Sequence, residues 1–150
     1  MGVDLDSACY VNKPEFGIEC VTKVVDAAIE NGVYVIIDWH SHNLRQEEAK
    51  EFFTQMATRY KGVPNVIYEV FNEPVEDSWE QVKSYSVEVI KTIRAIEPDA
   101  VILVGCPHWD QDIHLAADDP ITGYSKYNVY TPLLCQHPRT VAARPRRLCS

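Results

Sequence analysis

A parallel α/β fold, with helices packed outside a sheet, is predicted by three features of this sequence. Helical and strand-like patterns alternate: helix, strand, helix, strand, helix, strand, short helix, strand. The best strand candidates, residues 33–38, 66–71 and 101–105, are nearly continuous apolar runs, as expected for strands covered on both faces. The links are short, and strict alternation with short links implies parallel pairing through right-handed crossovers.

Residues 1–14 show no period and read as a loop. Residues 15–31 carry an apolar stripe at Val21, Val24, Val25, Ala28 and Ile29, and Asn31-Gly32 is a helix stop. The first strand run follows, then a polar loop over 39–45. Residues 46–60 place Ala49, Phe52, Phe53, Met56 and Ala57 on one helical face, and Gly62-Val63-Pro64 breaks that helix. In the second run β-branched and aromatic residues fill 66–71, and Pro74 ends any pairing. Ser78 is an N-cap for a third helix with Val82, Tyr85, Val89, Ile90 and Ile93 inward, ending before Pro98. After the third run, residues 109–117 read as a short helix, and Asn128-Val129-Tyr130 opens a fourth strand.

A chain of 150 residues is enough for one modest core, and 46% hydrophobic with 24% charged side chains place it among soluble globular proteins. No apolar run is long enough to span a membrane, and no basic-then-apolar leader opens the chain. Five cysteines without CxxC spacing argue against a complete disulfide framework or a zinc cluster, and Cys20 and Cys106 read as small core residues. The net charge of -8 disfavours nucleic acid and anionic membrane as partners. That charge is uneven. Residues 131–150 hold four arginines and no acid, so the other ten basic and all 22 acidic side chains lie in 1–130. The chain therefore divides into a folded domain over 1–130 and a basic, Pro- and Arg-containing tail over 131–150.

Each strand delivers polar or aromatic groups at its C-terminal end, where ligands bind in parallel α/β folds. The first gives Asp38-Trp39-His40-Ser41-His42, the second Asn72-Glu73, and the third Cys106-Pro107-His108-Trp109-Asp110-Gln111-Asp112. A carboxyl group at such a rim can give a proton to a leaving group and take one back. Glu73 fits that role, or else caps the helix that follows. Trp39 and Trp109 either stack on sugar rings, whose C–H faces are apolar, or plug the core. The His40-x-His42 spacing lacks a third metal ligand, so no metal is assigned and His40 is read as a hydrogen-bonding group. A Gly-rich phosphate loop and a G-x-S-x-G elbow are both absent, and no cofactor is assigned.

Three segments together resemble glycoside hydrolase family 5, in its bacterial endo-β-1,4-glucanases. They are Val35-Ile36-Ile37-Asp38-Trp39-His40, Asn65 to Glu69 leading into Asn72-Glu73-Pro74, and Val104-Gly105 with Trp109-Asp110-Gln111-Asp112. The resemblance implies a (β/α)8 TIM barrel that hydrolyses β-glucan with retention, using two glutamates. Glu73 is then the acid/base, Asn72 a partner of the sugar 2-hydroxyl or the nucleophile, and His40 a neighbour of the reacting sugar. Trp109 stacks on a glucosyl unit. Trp39, His42, His108 and Asp110 join it in the substrate groove, and Glu69 is structural. The implied location is extracellular.

The chain also departs from this family. About four strands are readable, strands three to six of the barrel, so the fold expected is a partial barrel with outer helices. The family's arginine near strand two and its strand-seven nucleophile have no counterpart, and no glutamate follows Glu97. Substitute carboxylates on the rim would be Asp38, Glu76, Asp77 and Asp110. Beyond Tyr130 the family's His-Phe-Tyr is replaced by Pro132-Leu133-Leu134-Cys135-Gln136-His137-Pro138, whose possible codons spell His-Phe-Tyr in the neighbouring frame. The tail is thus expected to be an out-of-frame translation. Open sheet edges and an exposed inner layer imply a homo-oligomer. Two functions follow: an endoglucanase acting on cellulose or related β-glucan, or a carbohydrate-binding, catalytically inert barrel fragment.

Overall fold

A computed structural model of the chain describes residues 10–124 and, for the backbone, 127–129. Four strands alternate with helices: α1 (Pro14–Glu30), β1 (Val35–Asp38), α2 (Gln46–Arg59), β2 (Val66–Glu69), α3 (Trp79–Ile96), β3 (Val101–Val104), α4 (Pro107–Asp110), α5 (Ile113–Asp118) and β4 (Tyr127–Val129). The sheet order is β1-β2-β3-β4, and all three pairings are parallel. This is the expected partial barrel sheet. Tyr130 and the whole tail lie outside the described residues.

The register explains the two faces. Ile37, Tyr68, Ile102 and Val104 are buried under the helices, where the Phe53 ring of α2 meets Tyr68 edge-on at 6.1 Å. Alternation turns the remaining positions to the inner face. There Ile36, Ile67 and Val101 form one row, and Asp38, Glu69 and Leu103 form the row nearer the C-terminal ends. Ile36 is 50% exposed, as an unclosed inner layer requires.

Helix ends follow local chemistry. Pro14 occupies the first turn of α1, where its missing N–H costs nothing. Gly32 takes φ +67° just beyond that helix. The Val33 N–H still donates to Ala28, so residues 33 and 34 finish the helix turn and the strand begins two residues later than its apolar run. Ser78 and Gln81 form a capping box on α3. We expect Ser78→Ala to lower unfolding free energy by about 1 kcal/mol in urea titrations. An unchanged midpoint would show that the cap is redundant.

The expected helix over 109–117 is instead two short pieces. His108, Trp109 and Asp110 have φ of 54°, 55° and 59°, three consecutive left-handed residues without a glycine among them. That conformation costs roughly 1–2 kcal/mol per residue, so surrounding contacts must hold it.

Candidate active site

Parallel pairing carries the ends of β1, β2 and β3 to one side of the sheet, and the predicted site residues gather there. Asp38 sits beside Glu69 in register, and the Trp39 N–H donates to the Glu69 carbonyl at 3.0 Å. Past β2 the chain runs through buried Val70 and Phe71 to half-buried Asn72 and Glu73. The Tyr85 hydroxyl of α3 donates to the Val70 carbonyl at 2.8 Å and fixes this exit.

The β3 end packs directly against that exit. A Cβ added at Gly105 would lie 2.6 Å from the Phe71 carbonyl oxygen and 2.8 Å from that of Asn72. Only glycine lets the two backbones approach this closely. The left-handed turn is pinned at two points. The Cys106 N–H donates to Asp110 Oδ1 at 2.5 Å, and the Trp109 N–H donates to the Pro74 carbonyl at 3.0 Å. Trp109, 46% exposed, is thereby presented next to the Asn72-Glu73 segment.

Four carboxyl groups share this end. Burial pushes Glu69 up to about 8, and the charges of Asp38, Asp110 and Glu73 add to the effect. Burial also raises Asp110 to about 7, against the Cys106 N–H bond that favours its anion, with Glu73 contributing. Asp38 is raised by burial and by Glu73, while His40 opposes the shift. Glu69 thus lies within electrostatic reach of the other three, and Glu73 within reach of Asp38 and Asp110.

The remaining predicted residues divide. His40 Nδ1 lies 2.9 Å from Asp38 Oδ2, and exposed His42 meets the His40 ring edge-on at 6.0 Å. Exposed His108 pairs with Asp112 through Nδ1. Trp39 and Asp110 require correction as groove residues. Trp39 is fully buried against Tyr10 and Phe52, at 5.3 and 5.2 Å between ring centroids, so it packs the core and offers no face to a sugar. Asp110 is also fully buried and its carboxylate serves the turn, which removes it both as a ligand contact and as a substitute nucleophile. Cys106 is a core thiol that burial pushes up to about 12.

Sequence reasoning names Asp38 as a rim carboxylate and Glu69 as structural without pairing them, and it does not reach the contact role of Gly105. An acid closing an apolar strand was the visible signal for Asp38. No local signal marks Gly105, because its constraint comes from residues far away in the chain.

Comparison with known proteins agrees with this fold. A family model described as cellulase (glycosyl hydrolase family 5) matches residues 7–132. Endoglucanase Z of Dickeya dadantii is 48% identical over 81% of this chain and 29% of its own length. Endoglucanase A of Evansella cellulosilytica is 45% identical over 77% of this chain and 25% of its own. The chain thus spans well under half of these curated relatives. A solved structure from Cytophaga hutchinsonii superposes with TM-score 0.80 and 41% identity, covering 85% of this chain and 42% of that one. The catalytic domain of Thermobifida fusca endoglucanase Cel5A, in complex with cellotetraose, gives TM-score 0.74 at 34% identity, covering 79% and 42%. With this sheet, this strand-end chemistry and a family match over most of its length, the chain belongs to glycosyl hydrolase family 5, the cellulases.

Proposed function

We propose that this chain carries the acid/base half of a β-1,4-glucan hydrolase. The observation that carries the reading is the Asn72-Glu73 pair, held at the exit of β2 between His40 and Trp109. Glu73 gives its proton to the glycosidic oxygen as the bond breaks and later takes one from water. Asn72 holds the reacting sugar or its partner carboxylate, and His40, His42 and His108 offer hydrogen bonds to hydroxyl groups. Trp109 offers an apolar face for a glucosyl ring. A retaining reaction needs a second carboxyl about 5–5.5 Å from the first. This chain has no glutamate after Glu97 to supply it.

The exposed face of Trp109 also suits a second reading, a carbohydrate-binding groove without the full reaction. Hydrolysis of a soluble β-1,4-glucan by purified protein separates the two, with Glu73→Gln as control. Acid–base assistance alone is worth about 10²–10⁴-fold, so the chain by itself should stay far below an intact enzyme. Activity that survives Glu73→Gln belongs to a contaminant or to another mechanism. Activity lost on dilution places the second carboxylate on another copy.

Self-association belongs to the same proposal. Val24, Val33, Tyr34 and Ile36 leave an exposed apolar edge along α1 and β1, and unpaired strand edges seek partners. Sedimentation velocity should show a dimer or larger species, and a monodisperse monomer across the micromolar range would remove this part. Among the described residues no helix is long and apolar enough to cross a membrane. Because a polymeric glucan cannot enter a cell intact, the proposed place of action is outside it.

A further inference from the structure

His40 has one fixed hydrogen-bond partner among the contacts described, and that partner is built into the sheet. Asp38 is the last residue of β1, held in register with Glu69. Its neighbour Trp39 is locked in the core and bonded through its N–H to the Glu69 carbonyl. The carboxyl group therefore has little freedom to follow the imidazole. Oδ2 meets His40 Nδ1 at 2.9 Å, and Oδ1 is buried without a hydrogen-bond partner among the described residues. The His40 side chain is 42% exposed, so its far edge is open to the groove.

An imidazole contributes one donor and one acceptor, and the bond made by one nitrogen sets the state of the other. Here the partner is a carboxyl with one oxygen buried and other acids beside it, with a cation or a donated N–H as its available relief. We infer that Asp38 is a positioning residue that holds His40 as the Nδ1–H tautomer, so that Nε2 presents a lone pair to the groove and accepts a hydroxyl proton from a bound sugar. This rests on the proposed β-glucan reading only for the identity of the hydroxyl donor. The tautomer itself is a property of the free protein.

The inference makes Asp38 neither a nucleophile nor a ligand contact. It also explains why a polar residue ends an otherwise apolar strand. Without Asp38 the exposed imidazole would revert to the Nε2–H form preferred in water. The groove would then meet a donor where it had met an acceptor. A hydroxyl can rotate to accept instead, but only by giving up its own donor elsewhere, and one misdirected hydrogen bond weakens binding by about tenfold.

The test uses the full chain with ¹⁵N-labelled histidine. Long-range proton–nitrogen correlation is recorded along a pH series, and the tautomer is read where the nitrogen shifts themselves report neutral rings. His40 should show a protonated Nδ1 and a bare Nε2. Asp38→Ala should invert that pattern, and Asp38→Asn, which keeps an acceptor oxygen, should restore it. A wild-type His40 with bare Nδ1 overturns the inference, and this outcome needs no variant to fold. An unchanged tautomer in folded Asp38→Ala also overturns it. Cellotetraose binding is measured in parallel. Asp38→Ala and His40→Ala should each weaken it about tenfold, and the double variant should weaken it no further. If the tautomer pattern holds while no form binds cellotetraose, the positioning role stands and the β-glucan reading falls.

Discussion

Glu69→Gln should make the protein more stable at pH 8 than its parent while leaving it nearly unchanged at pH 4. The sign follows from linkage. Glu69 has an ordinary value of 4.5 and is raised to about 8 in the fold. Below 4.5 both folded and unfolded chains hold the proton, and no stability is lost. As pH climbs toward 8 the unfolded chain releases its proton and the folded chain keeps it. Stability then falls by up to about 1.4 kcal/mol per pH unit for one such group. Asp110, raised from 3.8 to about 7, adds a loss of the same sign over an overlapping window. The acids repel one another and titrate as a set, so the combined slope is shallower than two independent groups would give. Glutamine keeps the shape of Glu69 and removes the charge. We expect a gain on the order of 2 kcal/mol at pH 8 in urea unfolding, and Asp110→Asn should act in the same direction. Parallel pH–stability curves for parent and both variants would contradict the raised values.

Gly105→Ala should damage both stability and ligand binding. The new methyl group would stand 2.6 Å from one backbone oxygen and 2.8 Å from another, and 2.8 Å from Asp110 Oδ1. Two of those three atoms are main chain and cannot rotate away. Overpacking of this kind costs about 1–3 kcal/mol, and relief requires the exit of β2 to separate from the end of β3. The displaced segment carries Asn72 and Glu73, and the disturbed carboxylate anchors the turn that presents Trp109. Loss of cellotetraose binding should therefore exceed what the stability loss alone produces. Gly123→Ala is a useful contrast: nothing lies within 4 Å of its added Cβ, although its φ of +85° strains any side chain. If Gly105→Ala retains full binding and stability, the close approach is not a constraint on the site.

The contrast between what the sequence revealed and what it concealed has a physical origin. Periodicity located α1, α2, α3 and the first three strands because each carries an apolar stripe or run, although Val24, Ile36 and Val101 of those patterns stay exposed. Boundaries moved where a neighbour decided them: β2 leaves the ladder after Glu69 although its apolar run continues to Phe71. Trp39 and Asp110 were assigned to the groove because they lie at strand ends in the chain. Their burial depends on Tyr10, Phe52 and the folded-back turn, none of which a local pattern encodes. The left-handed run at His108, Trp109 and Asp110 was invisible for the same reason. Its sequence contains no glycine or asparagine, and the modest preference of His108 and Asp110 for such a turn does not single it out.

The order β1-β2-β3-β4 has a consequence for how the chain reaches its structure. Among the described residues each strand pairs with the strand made just before it, and no pairing waits for a distant segment. The first two closures each span one helix and the third spans the short α4 and α5, so the entropic barrier stays modest throughout. A ribosome releasing this segment would expose α1, β1 and α2 before β2, which then adds onto an edge already in place. Assembly can advance strand by strand from the N-terminal side, with the growing edge as the template for the next addition.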